Sequence, residues 1–97
     1  MQLKWIISRD KSKAILNNKF EVSIHEIDIN KRTPSSQPIT NKINSSLAFQ
    51  KLDTGKVYEC TIIKNDMQSY FDKMSIDDLS KFMPKLMSTL GDLYESK

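Results

Sequence analysis

The sequence contains one histidine, His25, and one cysteine, Cys60, the two residues best suited to acid–base or nucleophilic chemistry. His25 precedes Glu26, but neighbours on a strand point to opposite faces, which argues against a histidine–carboxylate base. A Cys–His pair would require the side chains of Cys60 and His25 to meet. One His and one Cys cannot supply the three or four nitrogen and sulfur ligands of a zinc site. We therefore predict a protein that is not an enzyme and that uses no metal and no cofactor.

Basic residues are concentrated in the first two thirds of the chain. Residues 1 to 64 hold eleven Lys and Arg against six Asp and Glu, whereas residues 65 to 97 hold four against six. This asymmetry favours a polyanionic partner. A chain rich in Lys, Ile and Asn also arises from AT-biased coding, and this alternative stays open.

Nucleic acid is the polyanion that the residue pattern favours. Small curved sheets bind single strands by combining a basic groove with exposed aromatic rings, because any base can stack and each phosphate attracts a cation. Trp5 lies between Lys4 and the basic run from Arg9 to Lys13, and Tyr58 follows Lys56. If both rings pack in the core instead, only phosphate contacts remain, and binding is weak and salt-sensitive. We predict single-stranded DNA or RNA as the ligand, in contact with Lys4, Trp5, Arg9, Lys11, Lys13, Arg32, Lys42, Lys56 and Tyr58.

The C-terminal third suggests a second class of function, protein–protein binding. Nine apolar residues recur at helical spacing between Ile76 and Tyr94, and Met residues among them suit adaptable interfaces. Such a stripe ordinarily packs in the core, but nine positions exceed what one face of a small sheet needs. The alternative prediction is a partner protein, or a second copy of this chain, that binds Phe82, Met83, Leu86, Met87 and Leu90.

The elements that must position these residues are strands in the first two thirds. Residues 3 to 7 and 19 to 29 alternate as strands do, whereas 13 to 18 fit either a strand or a helix. Within 19 to 29, the apolar residues change faces after Ile24. This change predicts a β-bulge near Ile24 to Glu26, with a strand covered on both faces as the alternative. Residues 30 to 46 then form a basic loop, since two prolines interrupt regular pairing there.

Residues 47 to 52 and 56 to 63 are predicted to form a hairpin around Asp53-Thr54-Gly55, with Gly55 in the left-handed region. The turn glycine and the segment KVYECTIIK resemble barrel strands of OB-fold and SH3-like proteins, over about fifteen residues. The resemblance implies a small barrel.

Helical spacing begins after Asp66. Ser75 followed by Asp77 and Asp78 predicts a helix N-cap, and Pro84 predicts a kink or a break, with Pro84 in the first turn of the last helix. The fold prediction is α+β in a single domain, residues 1 to 97. A bent antiparallel sheet or small partial barrel over 3 to 63 is covered by helices over 67 to 95.

The remaining expectations concern the setting of the protein. One cysteine excludes an intramolecular disulfide and suits the reducing cytoplasm. Apolar runs of three residues or fewer predict no membrane segment. Short chains of this composition are frequent in phages and plasmids of low-GC bacteria, an association that indicates an accessory or regulatory role.

Overall fold

The structure is a computed structural model that describes residues 2–31, 34, 40–43, 46–51 and 53–96. Within these residues, five strands precede two helices. The strands are β1 (Trp5–Ile7), β2 (Lys13–Leu16), β3 (Phe20–Ile27), β4 (Ser46–Gln50) and β5 (Val57–Asn65). The helices are α1 (Gln68–Asp72) and α2 (Ile76–Glu95). The predicted α+β class is confirmed, and residues 13 to 16 form a strand.

The five strands form one antiparallel sheet in the order β1-β2-β3-β5-β4. The sheet is open, with β1 and β4 as its two edges. The barrel that the OB-fold and SH3-like resemblance implied is therefore not formed. The physical reason is that α2 occupies the face of the sheet that a barrel would enclose.

The turns follow the local sequence. Asn17 and Asn18 have φ values of 51° and 59°, and Gly55 has a φ of 74°. Asparagine and glycine tolerate this left-handed conformation better than other residues do. The predicted hairpin around Asp53-Thr54-Gly55 is therefore confirmed, with its strands at Ser46–Gln50 and Val57–Asn65.

A β-bulge exists, but the prediction of its position near Ile24 to Glu26 was wrong. Glu21 pairs with Lys64 whereas Val22 pairs with Ile62, so Ile63 is the extra residue. The strand β3 needs no change of phase after Ile24, because the later isoleucines do not enter the core. Ile29 is 49% exposed.

The core lies between the sheet and α2. The helix buries a stripe of residues at helical spacing, and α1 adds Phe71. Phe20, the first residue of β3, packs between two other rings, with its ring centroid 6.2 Å from Trp5 and 5.7 Å from Phe71. Rings tilted or edge-on at these separations interact favourably in addition to the area that they bury. The buried residues of the helices are Phe71, Leu79, Met83, Leu86, Met87, Leu90 and Gly91.

Helix α2 runs unbroken from Ile76 to Glu95, so the prediction that Pro84 lies in the first turn of a separate last helix was wrong. Pro84 removes one backbone hydrogen bond, but Met83 and Leu86 on either side of it are buried in the core. The N-cap prediction is confirmed, since the Asp78 N–H donates to Ser75 Oγ over 3.0 Å.

No helix in the described part of the chain is both long enough and apolar enough to cross a membrane.

Candidate nucleic-acid interface

The face of the sheet opposite α2, called the open face below, carries a row of polar residues. Ala48 and Val57 lie on the same face by register and are buried, so the exposed part of this face is the part around Lys13 and Thr61. Lys13 on β2 is in register with Ser23 on β3, and Ser23 is in register with Thr61 on β5. Thr61 is in turn in register with Ser46 on the edge strand β4. Paired residues of an antiparallel sheet share a face, so these side chains form one line across four strands. This line is called the polar row.

The turn between β1 and β2, residues 8 to 12, is called the basic turn below. It contains Arg9 and leads directly into Lys13, the first residue of β2 and of the polar row. Its shape is set by Asp10, whose Oδ1 accepts hydrogen bonds from the hydroxyls of Ser8 (2.7 Å) and Ser12 (2.8 Å) and from the Ser12 N–H (3.1 Å). These bonds, led by that of the Ser8 hydroxyl, lower the pKa of Asp10 from 3.8 to about 2. Arg9 beside Asp10 is exposed, as is Lys13 after the turn. The turn therefore fixes the backbone that carries Arg9, and Lys13 follows it as the first residue of β2.

The predicted basic residues lie at two ends of the sheet. Lys11 and Lys56 lie near the end of α2. Lys11 Nζ donates to the Ser96 carbonyl, and the Lys56 N–H donates to the Thr54 hydroxyl, which in turn donates to Glu95. Lys4 lies at the opposite end, where its N–H donates to Asn17 Oδ1 over 3.0 Å. Lys42 lies at that end too. Its neighbours Asn41 and Ile43 hydrogen-bond to Phe71 and Gln68 around α1. Arg32 lies outside the described residues.

The two aromatic candidates are buried. Trp5 is 4% exposed, and its Nε1–H donates to the Leu86 carbonyl over 3.1 Å. Tyr58 is 1% exposed, and its hydroxyl donates to Glu95 Oε2 over 2.8 Å. Burial, together with that bond, raises the pKa of Tyr58. Neither ring offers a face to a base, so the predicted stacking role of Trp5 and Tyr58 is incompatible with this packing.

The residues of the alternative protein interface also pack inside the molecule. Met83, Leu86, Met87 and Leu90 are buried between α2 and the sheet. Phe82 is partly buried, with its ring 6.4 Å from that of Tyr70. The Met- and Leu-rich stripe therefore covers the sheet and is not left over for a partner.

Cys60 and His25 lie on opposite faces of the sheet and do not form a dyad. Cys60 is fully buried on the face that α2 covers, in register with Ile24. Burial raises the pKa of its thiol from 9.0 to about 12, so the thiol is protonated at neutral pH. His25 is on the open face, with Nε2 3.4 Å from Glu59 Oε1. Among the described residues, no three or more His, Cys, Asp or Glu side chains are grouped so that they could hold a metal ion.

One cluster of charged residues in the structure was not predicted from the sequence. Lys51, at the end of β4, is 6% exposed, and its Nζ forms ion pairs with the carboxylates of Asp92, Asp53 (3.4 Å) and Glu95 (3.5 Å). The bond to Asp92 is the main cause of the raised pKa of Lys51. The cluster joins the β4–β5 hairpin to the end of α2. Only Asp53 is near Lys51 in sequence, so no local pattern signals the cluster.

In comparisons with known proteins, this chain matches no family model, no curated protein and no solved structure. What the fold defines is an α+β protein with an open antiparallel sheet covered on one face by a helix. An architecture of this kind does not determine a function, so the function must be argued from the polar row and the basic turn.

Proposed function

We propose that this chain is a non-enzymatic protein that binds nucleic acid with the basic turn and the adjoining open face. The main support for this proposal is that Arg9 and Lys13 are exposed and that neither forms an ion pair with any other described residue. Cations without an acidic partner are available to phosphate groups. Asp10 between them is ionised, but its carboxylate accepts three hydrogen bonds from its own turn and forms an ion pair with neither cation.

The distribution of charge supports the same surface. The excess of Lys and Arg falls in residues 1 to 64, which contain the described strands apart from the last residue of β5. The helical part has more acids than bases. Lys4, at the end of the sheet opposite the basic turn, is also exposed. A polyanion is attracted to the sheet more strongly than to the helices. An accessory or regulatory role in a phage or plasmid is part of this proposal.

The test is a double variant, Arg9→Gln with Lys13→Gln, titrated against labelled oligonucleotides at two salt concentrations. We expect weaker binding to every sequence alike, because phosphates carry no sequence information. The slope of log affinity against log salt should fall by roughly 0.7 to 0.9 for each lost phosphate contact, since each contact releases a condensed counterion. Lys11 is left unchanged because its ammonium group bonds to the end of α2.

The matched control is Lys73→Gln with Lys85→Gln, which removes the same charge from two exposed positions in the helical part. Neither lysine forms an ion pair within the described part of the chain. The control should bind nearly as the unchanged protein does. An equal loss in both double variants would indicate a general charge effect, and no binding to any oligonucleotide at low salt would refute the proposed function.

A further inference from the structure

None of the aromatic side chains of this protein lies on the open face. The sequence has one Trp, three Tyr and four Phe, and all of them are among the described residues. Five are buried in the core, and the other three belong to the helices and pack against that core. The buried ones are Trp5, Phe20, Phe49, Tyr58 and Phe71, and the partly buried ones are Tyr70, Phe82 and Tyr94.

This distribution constrains the kind of nucleic acid that the surface accepts. Proteins that bind single strands stack the bases on exposed aromatic rings, and each stacked base contributes substantially to affinity. Contacts to the backbone of a duplex need cations, hydroxyl groups and backbone amides, but no ring. We infer that the ligand of the open face is the phosphate backbone of a double-stranded nucleic acid, bound without base stacking. This inference rests on the proposed function.

The open face supplies two of these three kinds of group, cations and hydroxyl groups. Lys13, Ser23 and Thr61 stand on three adjacent strands, so the polar row extends about 10 Å between them at the usual strand spacing. Thr61 is exposed, and neither its hydroxyl nor that of Ser23 hydrogen-bonds to another described residue. Serine and threonine hydroxyls donate to phosphate oxygens. Arg9 and Lys13 add charge at one end of the row.

The acids of the open face do not outweigh its cations. Glu21 is in register with Lys64, and Glu59 lies 3.4 Å from the imidazole of His25. Glu21 therefore lies opposite a lysine, although the Lys64 ammonium group forms its ion pair with Asp66 over 3.3 Å. Lys13 remains outside these pairs, which leaves the polar row with positive charge for a polyanion.

The experiment compares a labelled duplex of about 20 base pairs with each of its separate strands, by fluorescence anisotropy at two salt concentrations. We expect the duplex to bind at least as tightly as either strand. Thr61→Val, which keeps the branched shape, and Ser23→Ala should each weaken duplex binding by about 2- to 10-fold, the range for loss of one hydrogen bond. Thr89→Val on α2, whose hydroxyl bonds only to the Lys85 carbonyl, is the control and should bind unchanged.

Each other outcome has a distinct meaning. Much tighter binding of a single strand overturns this inference and leaves the proposed function intact. Duplex binding that neither Thr61→Val nor Ser23→Ala weakens overturns the placement on the open face. Ile6, 60% exposed on β1, could instead join two copies of the chain. The inference is also overturned if sedimentation shows a dimer that the Ile6→Lys change dissociates and that added duplex does not dissociate. No binding of any strand at low salt refutes the proposed function itself.

Discussion

At the scale of single residues, Trp5 joins β1 to α2 by two interactions. Its ring packs at a tilt of 60° against Phe20, and its Nε1–H donates to the Leu86 carbonyl in the middle of the helix. A buried tryptophan contributes a large apolar area but needs a partner for its N–H group. Both needs are met here. The three-residue edge strand β1 is therefore held to the helix largely through one side chain.

Trp5→Ala is expected to lower the free energy of unfolding by about 3–5 kcal/mol, because it leaves a cavity in the core. Urea denaturation followed by circular dichroism measures this change. The control is Ile6→Ala at the exposed neighbouring position, where the change should stay within about 0.5 kcal/mol. A Trp5→Ala protein that keeps its stability but loses nucleic-acid affinity would show that the ring stacks on bases after all.

At the scale of elements, the β4–β5 hairpin is attached to α2 by charge and by close packing. The end of α2 carries Asp92 and Glu95 and no base in its last turn, although a helix C-terminus favours positive charge. Lys51 supplies that charge from the hairpin. Its aliphatic stem crosses the helix at Gly91, which is buried, and Phe49 lies beside it. Only a residue without a side chain leaves room for this crossing.

Gly91→Ala should therefore destabilise the protein, although the same change normally stabilises a helix by about 0.5–1 kcal/mol. An alanine Cβ would lie 3.0 Å from Cγ and Cδ of Lys51 and 3.1 Å from Cε2 of Phe49. We expect a net loss of about 1–2 kcal/mol in the free energy of unfolding, measured in urea.

Two further variants control this prediction. Ser88→Ala, at an exposed position of the same helix, should cost nothing. Adding Lys51→Ala to Gly91→Ala should cost less than the sum of the two single changes, because the shortened stem removes part of the overlap. A Gly91→Ala protein as stable as the unchanged one would contradict the packing described here.

Elements that depend on neighbouring residues could be predicted from the sequence, and those that depend on distant ones could not. Gly55 and Ser75 act within their own turns, so the hairpin and the helix N-cap were predictable. The bulge at Ile63 depends on how β5 pairs with β3, which no local pattern contains. Pro84 follows a local rule that tertiary burial of its flanking residues overrides.

The candidate site was predictable in its charges and not in its geometry. The exposure of Arg9 and Lys13 follows from their position in and after a polar turn. The polar row does not follow from the sequence, because it requires the register that places Ser23 opposite Thr61. The sequence also did not show whether the Trp5 side chain points into the core. Alternation assigns the residues of a strand to two faces but does not show which face the helix covers.

At the scale of the whole molecule, two hydrogen-bonded carboxylates make the fold sensitive to acid. The pKa of Asp10 is lowered to about 2 by the hydroxyls of Ser8 and Ser12, and the pKa of Glu95 is lowered first by the Tyr58 hydroxyl. In the unfolded chain both carboxyl groups return to ordinary pKa values near 4. A carboxyl group with a lowered pKa stabilises the fold above its unfolded pKa. That stabilisation is lost as the pH falls through the folded value.

The free energy of unfolding should therefore fall steadily between about pH 4 and pH 2, and Asp10→Asn should make that fall smaller. Asparagine still presents an oxygen to the two serine hydroxyls, so the turn is expected to keep its shape. The measurement is urea denaturation at a series of pH values, with salt held constant. Ser8→Ala with Ser12→Ala, which keeps the carboxyl group but removes its hydroxyl donors, should reduce the acid dependence in the same direction. An unchanged acid dependence in both variants would show that the turn does not lower the pKa of Asp10.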